Sequence, residues 1–313
     1  MKISSLESVL AVNAFSFRSI LAVFLQWIGG TVAFIVSMIL SNLLSPMPKF
    51  ILDKTPSTGF FTTPAALLFS GAINAVILIW VARRSPFKGL ALWGQLFVLS
   101  FGAETFQTQI ETGYFISAFP LLQGNFEVYH LILRGLIKSI LFALLLIWIV
   151  GGFGNAPRSA TNFTVNANRA VKQSSWLAAV YLLLYLVFGY YVAWQSQQLR
   201  VFYGGPAQLN SAIDQWLITF MTRPELPVFQ YFRGVIWVLC LIPLFKGFSG
   251  KRVELVALST LLLEFLPTVD LAFPNPLMPA EVSLYHFREV SISTGIFGAL
   301  CAWFVPTNVA MES

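Results

Sequence analysis

Charge is missing from long stretches of this chain. Residues 19–48, 55–82, 139–157 and 173–199 contain no Asp, Glu, Lys or Arg, and roughly 20 consecutive apolar residues suffice for a helix to cross the hydrocarbon core of a bilayer. Extending these runs and their neighbours predicts helices near 19–45, 61–82, 89–111, 128–150, 173–197, 228–245, 253–272 and 284–305. The third and seventh are interrupted by acids. The predicted fold class is all-α, a polytopic transmembrane helical bundle of about eight spans. Residues 1–16 precede the first run and read as an N-terminal interfacial helix. The apolar run after Arg18 is too long for a removable signal and lacks an obvious cleavage site.

Composition agrees with the pattern. Apolar residues make up 57% of the 313 positions and charged residues 10%, with mean hydropathy +0.75, whereas soluble domains carry about 25% charged residues. The net charge of +6 is not arranged as a basic stripe with interleaved aromatics, so no nucleic-acid partner is expected. In a membrane chain, Lys and Arg mark the cytoplasmic loops instead. An even number of spans puts both ends on one side. That side carries Lys2, Arg18, Arg83, Arg84, Lys88, Arg158, Arg169, Lys172, Lys246, Lys251 and Arg252, against Lys49, Lys54, Arg200 and Arg223 on the other. Both termini are therefore expected in the cytoplasm, in an inner or plasma membrane. Arg134, Lys138, Arg233 and Arg288 fall near the outward ends of spans, where long stems can snorkel. Apart from Glu7, Glu254 and Glu312, the acids map outward or into the outer half of the membrane.

Short matches recur in the same order in both halves. Phe69-Ser70-Gly71-Ala72-Ile73 parallels Phe232-Arg233-Gly234-Val235-Ile236, Phe87-Lys88-Gly89 recurs as Phe245-Lys246-Gly247, and Glu104 has a counterpart in Glu264. EVYHLILR, 127–134, matches EVSLYHFR, 281–288, with Glu-Val and Arg at the same spacing. The order predicts a tandem repeat of four helices each, 17–150 and 173–305, separated by a cytoplasmic linker at 151–172 and followed by a cytoplasmic tail at 306–313. Four spans per unit make the repeat parallel rather than inverted. Cys240 and Cys301 fall inside apolar segments and read as buried thiols.

The candidate chemistry lies in charged helical faces. Glu104, Gln107, Thr108 and Glu111 occupy i, i+3, i+4 and i+7 on the third helix, one face of a regular helix. Glu127, His130, Arg134 and Lys138 line the fourth, Glu264, Thr268 and Asp270 the seventh around Pro267, and Glu281, Tyr285, Arg288 and Glu289 the eighth. A charge at the centre of a membrane helix costs roughly 2.5–3.5 kcal/mol on insertion scales. These faces must therefore meet one another or a wet cavity. The spacing pairs Glu104 with Arg134 and Glu264 with Arg288, either as interhelical staples or as part of an outward-opening site. The two histidines each lie three positions from a glutamate, Glu127/His130 and His286/Glu289. With Glu104 and Glu264 they form the residue set of a helix-bundle di-metal site, weighed here below ordinary cavity or pairing histidines.

Phosphate-loop, zinc-protease and serine-hydrolase motifs are absent from the sequence. Trp and Tyr gather near predicted span ends, as an interfacial belt does. The segment 195–227 reads as a partly ordered cap over the outward face. The expected function is binding or transport of a small polar or charged ligand, or of protons, in a charged outward cavity. The alternatives are a non-catalytic subunit or assembly factor of a larger membrane complex, and a membrane-embedded enzyme with a carboxylate/histidine metal site. The expected partners are the lipid bilayer, such a ligand, and other membrane chains; no cofactor is specified.

Overall fold

A computed structural model describes residues 3–47, 51, 53, 63–122, 124–153, 161–273 and 277–309, with the side chains of the first helix from Ser19 onward. The expectations for Lys2, Lys49, Lys54, Arg158 and Glu312, and for the side chains of Glu7 and Arg18, lie outside the described residues.

Backbone polar groups have no water to bond in hydrocarbon, so an apolar chain of this kind satisfies them within helices; the protein is 80% helical. In chain order the helices are α1 (Ile3–Leu44), α2 (Thr63–Arg84), α3 (Gly89–Ser100), a π-helical turn (Phe101–Phe106), α4 (Gln107–Tyr114), α5 (Asn125–Ile149), α6 (Ala167–Tyr191), α7 (Gln197–Phe202), α8 (Ala212–Thr222), α9 (Glu225–Lys246), α10 (Arg252–Phe265) and α11 (Ala280–Phe304). Among the described residues, five stretches are long and apolar enough to cross a membrane: Ser19–Leu44, Pro64–Arg84, Phe126–Ile149, Ala167–Gln195 and Glu225–Lys246. These apolar helices mark an integral membrane protein in contact with a lipid bilayer. Exposed Ile20, Phe24, Leu25, Ile28, Val32, Ile39 and Leu43 on α1 give it a flank suited to acyl chains rather than water.

Among the described residues, helix packing builds one large core cluster with two smaller ones beside it. α1 lies against α2 and α5, while α5 also covers α3, the π turn and α4; α6 lies against α9 and α11, and α11 packs along α10. Two further contacts tie these groups together, α2 to α10 and α9 to α3. At the first, Trp80 Nε1 donates to Glu254 Oε1 (2.8 Å) and Arg84 forms an ion pair with the same carboxylate. At the second, Gln95 Nε2 donates to the carbonyls of Pro243 (2.9 Å) and Gly247 (3.1 Å). Apolar contact alone gains little between helices that lipid would solvate equally well, so close approach and polar contacts matter more. Accordingly Gly234 brings α9 onto α6: a Cβ there would stand 2.8 Å from Ala178 Cα. Cys240 and Cys301 are both free and buried.

Two boundaries differ from the sequence reading. Ile3–Leu44 is one continuous helix, because nothing near residue 16 breaks the hydrogen-bond ladder. Part of the expected linker is tied down. β1 (Phe163–Thr164) pairs antiparallel with β2 (Thr307–Asn308), Phe163 opposite Asn308, and Asn162 Nδ2 donates to the carbonyls of Ser249 (2.8 Å) and Gly250 (3.2 Å). Arg252 lies over the Phe163 ring, 4.8 Å from its centroid, and donates to Asn308 Oδ1 (3.1 Å). Polar Asn and Thr residues that read as flexible spacer are the donors and acceptors of this small clasp. Residues 154–160 and 310–313 lie outside the described residues.

Candidate functional site

The π-helical turn decides where the acids of the third helical segment point. A π turn holds more residues per turn than an α-helix and shifts the phase of everything after it. Glu104 lies within this turn, whereas Gln107 and Glu111 follow it on α4. The face that regular spacing assigned to all of them is therefore split. Gly135 of α5 admits the turn: a Cβ there would meet the Thr105 side chain at 2.2 Å. Thr108 takes no part in either group, since its hydroxyl donates back to the carbonyls of Glu104 (2.8 Å) and Thr105 (2.9 Å).

Glu104 turns toward α5. It is 4% exposed and forms an ion pair with Lys138, itself buried. Ser100 Oγ donates to Glu104 Oε2 (3.4 Å) and shares a 3.2 Å hydrogen bond with Ser139 Oγ. The Lys138 ammonium also lies 5.2 Å from the centroid of the Phe34 ring. Arg134, the expected partner of Glu104, bonds instead to Asn42 Oδ1 and reaches Met47 Sδ at 3.5 Å. One helical turn separates Arg134 from Lys138, and the π turn sets Glu104 level with the latter.

Glu111 turns the other way, onto α9. Arg233 Nη1 donates to Glu111 Oε1 (2.6 Å) and to Gln230 Oε1 (2.9 Å), and its Nη2 donates to the carbonyl of Gln107 (3.1 Å). Gln107 Nε2 returns a bond to the carbonyl of Arg233 (3.1 Å), and Gln230 Nε2 donates to Glu111 (3.3 Å). Arg233 is 3% exposed, so it points into the bundle rather than snorkelling outward. A guanidinium presents several donors in a fixed plane and can serve three acceptors at once, as a lysine ammonium on a flexible stem does less well.

Above this knot opens a cavity of about 610 Å³. Its floor holds Glu111, His286 and Glu289; its walls hold Tyr185, Tyr190, Trp194 and Tyr203; Trp216, Ile218 and Thr219 of α8 form the roof. The roof is fastened to α6, with Trp216 Nε1 donating to the carbonyl of Leu186 (3.2 Å) and Tyr190 Oη to that of Asn210 (2.6 Å). Ser211 starts α8 by accepting from the amide of Asp214 (3.2 Å), an N-cap bond. Buried Arg200 holds the turn beside it, donating to the carbonyls of Trp194 (2.6 Å), Gln195 (3.2 Å), Pro206 (3.2 Å) and Ala207 (2.6 Å). The expected cap over 195–227 is thus ordered around one arginine.

On the floor, Glu289 is 4% exposed and its Oε2 lies 3.5 Å from His286 Nδ1, too long for a completed hydrogen bond. His286 Nε2 stands 3.4 Å from the hydroxyl of Tyr203. Tyr203 lies in the segment between α6 and α9, where burial first, and then the carboxyl groups of Glu111 and Glu289, push its phenol well above the ordinary range. It stays protonated as a donor toward the histidine. With its own proton on Nδ1, a neutral His286 accepts from Tyr203 and faces Glu289.

The other predicted residues are dispersed. Glu264 and Arg288 form no ion pair among the described residues: Arg288 is exposed, its guanidinium 5.6 Å from the Tyr285 ring centroid, and Glu264 lies half-buried near Gly295. Glu281 accepts from Ser196 Oγ (2.8 Å). His130 Nε2 donates to the carbonyl of Pro46 (2.8 Å), and Glu127 keeps a buried Oε2 without a hydrogen-bond partner among the described residues. Asp270, exposed in the 3₁₀ turn Val269–Ala272, lies within electrostatic reach of Lys138 and Arg134. The candidate metal ligands Glu104, Glu127, His130, Glu264, His286 and Glu289 are not gathered, and no group of three or more His, Cys, Asp or Glu able to hold a metal occurs among the described residues. Their helix-to-helix partners differ: Glu104 faces α5, whereas His286 and Glu289 face the cavity.

No family model, no curated protein and no solved structure matches the chain. The geometry alone carries the functional reading. It adds residues that the spacing argument left out, namely Arg233, Gln230, Tyr185 and Tyr203, and it gives Lys138, already on the face of the fourth predicted helix, its partner in Glu104. Arg233 could have been found by its place in the recurring Phe-x-Gly match of the two halves. Tyr203 and Arg200 carry no local signal, because their roles depend on a cap folded back over the bundle.

Proposed function

We propose that the protein is an eight-span membrane protein that binds or transports a small polar or charged ligand in a cavity opening away from the cytoplasm. The spans are α1, α2, α3–α4, α5, α6, α9, α10 with its 3₁₀ extension, and α11. The positive-inside bias puts both termini in the cytoplasm and the cavity in the outer half of the bilayer. A tandem parallel repeat underlies the bundle. Its support is that α1 packs on α2 and α5 as α6 packs on α9 and α11, and that α5 covers α3 as α11 covers α10. The crossed contacts α2 to α10 and α9 to α3 follow the same rule.

The observation that carries the ligand reading is the floor of the cavity. A structural staple needs one acid for one base, and Glu111 with Arg233 supplies that. Glu289 and His286 are additional, the first buried and the second half-buried, and they line about 610 Å³ of space. Buried ionisable groups facing an open volume in a membrane bundle are the usual signature of a substrate or proton path.

Cysteine accessibility tests both orientation and cavity, with little background because Cys240 and Cys301 are buried. Gly189 lines the cavity, and a Cβ placed there meets nothing within 4 Å. Gly189→Cys and Ser211→Cys should react with a small membrane-impermeant thiol reagent applied from outside, and Ser249→Cys only after permeabilisation. A Gly189→Cys thiol that reacts only from the cytoplasmic side, or with no reagent, would sink the outward cavity.

A further inference from the structure

Resting on the cavity reading above, we infer that its ligand is a small organic cation, an ammonium with apolar substituents, whose charge sits against Glu289 and whose body is held by the aromatic walls. Three features select this class. Glu111 already has its counter-charge in Arg233 at 2.6 Å. Glu289 has no such partner at contact distance: among the described residues its one ion-pair contact is His286, at 3.5 Å, and Arg233, already bonded to Glu111, acts on it only at longer range. The floor therefore carries one buried acid with no base in contact, whose ionised form a cation beside it would favour, while Arg223, which also lines the cavity, is exposed to solvent, where its charge is screened.

The walls complete the argument. Tyr185, Tyr190, Trp194, Tyr203 and Trp216 face the cavity, and aromatic faces attract a cation lying within about 6 Å of the ring. A metal ion needs several oxygen or nitrogen ligands converging on one point, and no group of three or more His, Cys, Asp or Glu able to hold one occurs among the described residues. An anion would meet the Glu111 carboxylate and a second acid that cannot ionise beside it. A neutral ligand would leave the Glu289 acid without the counter-charge its ionised form needs. An ammonium with methyl or benzyl substituents satisfies the floor and the walls together.

The test uses the full chain carrying Gly189→Cys and measures protection of that thiol from a small maleimide. The probes are benzyltrimethylammonium, benzyl alcohol and benzoate, of similar size and of positive, zero and negative charge. Benzyltrimethylammonium should protect at a concentration at least ~10-fold below the other two. Glu289→Gln should remove that preference, and Glu289→Asp, which keeps the charge, should retain it. Equal protection by all three probes, or protection by none while the thiol still reacts from outside, overturns the cation assignment and leaves the cavity reading standing. A thiol that never reacts from outside overturns both. Should Glu289→Gln not fold, the comparison of the three probes on the Glu289-containing chain decides alone.

Discussion

Two acid–base groups lie a few residues apart on the same helical segment and behave as opposites. Glu104 meets Lys138 and Ser100 in a buried interior, with Ser139 bonded to Ser100 and Phe34 against the ammonium. Glu111 meets Arg233 and Gln230 at the floor of an open volume that also holds Glu289 and His286. In the first group charge is balanced and no space remains, so the pair fastens the π turn to α5. The second keeps one acid beyond what the arginine balances and leaves room for a ligand. Buried charge by itself therefore says little about function. What distinguishes the two places is the surplus acid and the adjoining cavity.

Removing the base from the sealed group should have the largest effect on stability. Lys138→Met strands a buried carboxylate and should cost roughly 3–5 kcal/mol, read as a lowered thermal midpoint of the purified protein in detergent. The double change Lys138→Met with Glu104→Gln should recover most of that loss. A double variant no more stable than the single one would show that the ion pair is not what Lys138 supplies. Gly135→Ala comes next. Its Cβ would overlap Thr105, so the π turn must shift away from α5, at a cost of roughly 1–3 kcal/mol. The sharper readout is chemical: the Glu104 group should loosen while cavity labelling at Gly189→Cys stays unchanged.

The smallest stability effect belongs to the open group. Glu289→Gln replaces an acid that holds no ion pair with a base by a neutral group of the same shape, so the folded chain should change by less than about 1 kcal/mol while ligand protection is lost. A large drop in thermal midpoint would instead assign Glu289 to the structural class of Glu104 and erase the contrast between the two groups.

Much of the helical pattern was legible along the chain. Apolar runs such as 55–82 and 173–199 fall where α2 and α6 form, because a peptide backbone in hydrocarbon has almost no choice but to be helical. The acids at 104–111 were also visible as buried polar chemistry. Their partners were not. Pairing Glu104 with Arg134 assumed regular helical phase, and a π turn anchored at Gly135 moved Glu104 to Lys138 and Glu111 to Arg233. Arg233 read as a snorkelling residue because position along a span does not reveal which face is buried.

What the sequence determined by itself was the membrane-embedded helical class and the presence of ionisable groups that had to avoid lipid. Both follow from composition and from run lengths set by the thickness of a bilayer. Only the tertiary structure decided which acid meets which base, where open volume remains, and that Arg200 folds the 193–223 segment into a roof. Those outcomes depend on helix phase and on contacts between residues far apart in the chain, and neither is written in local spacing.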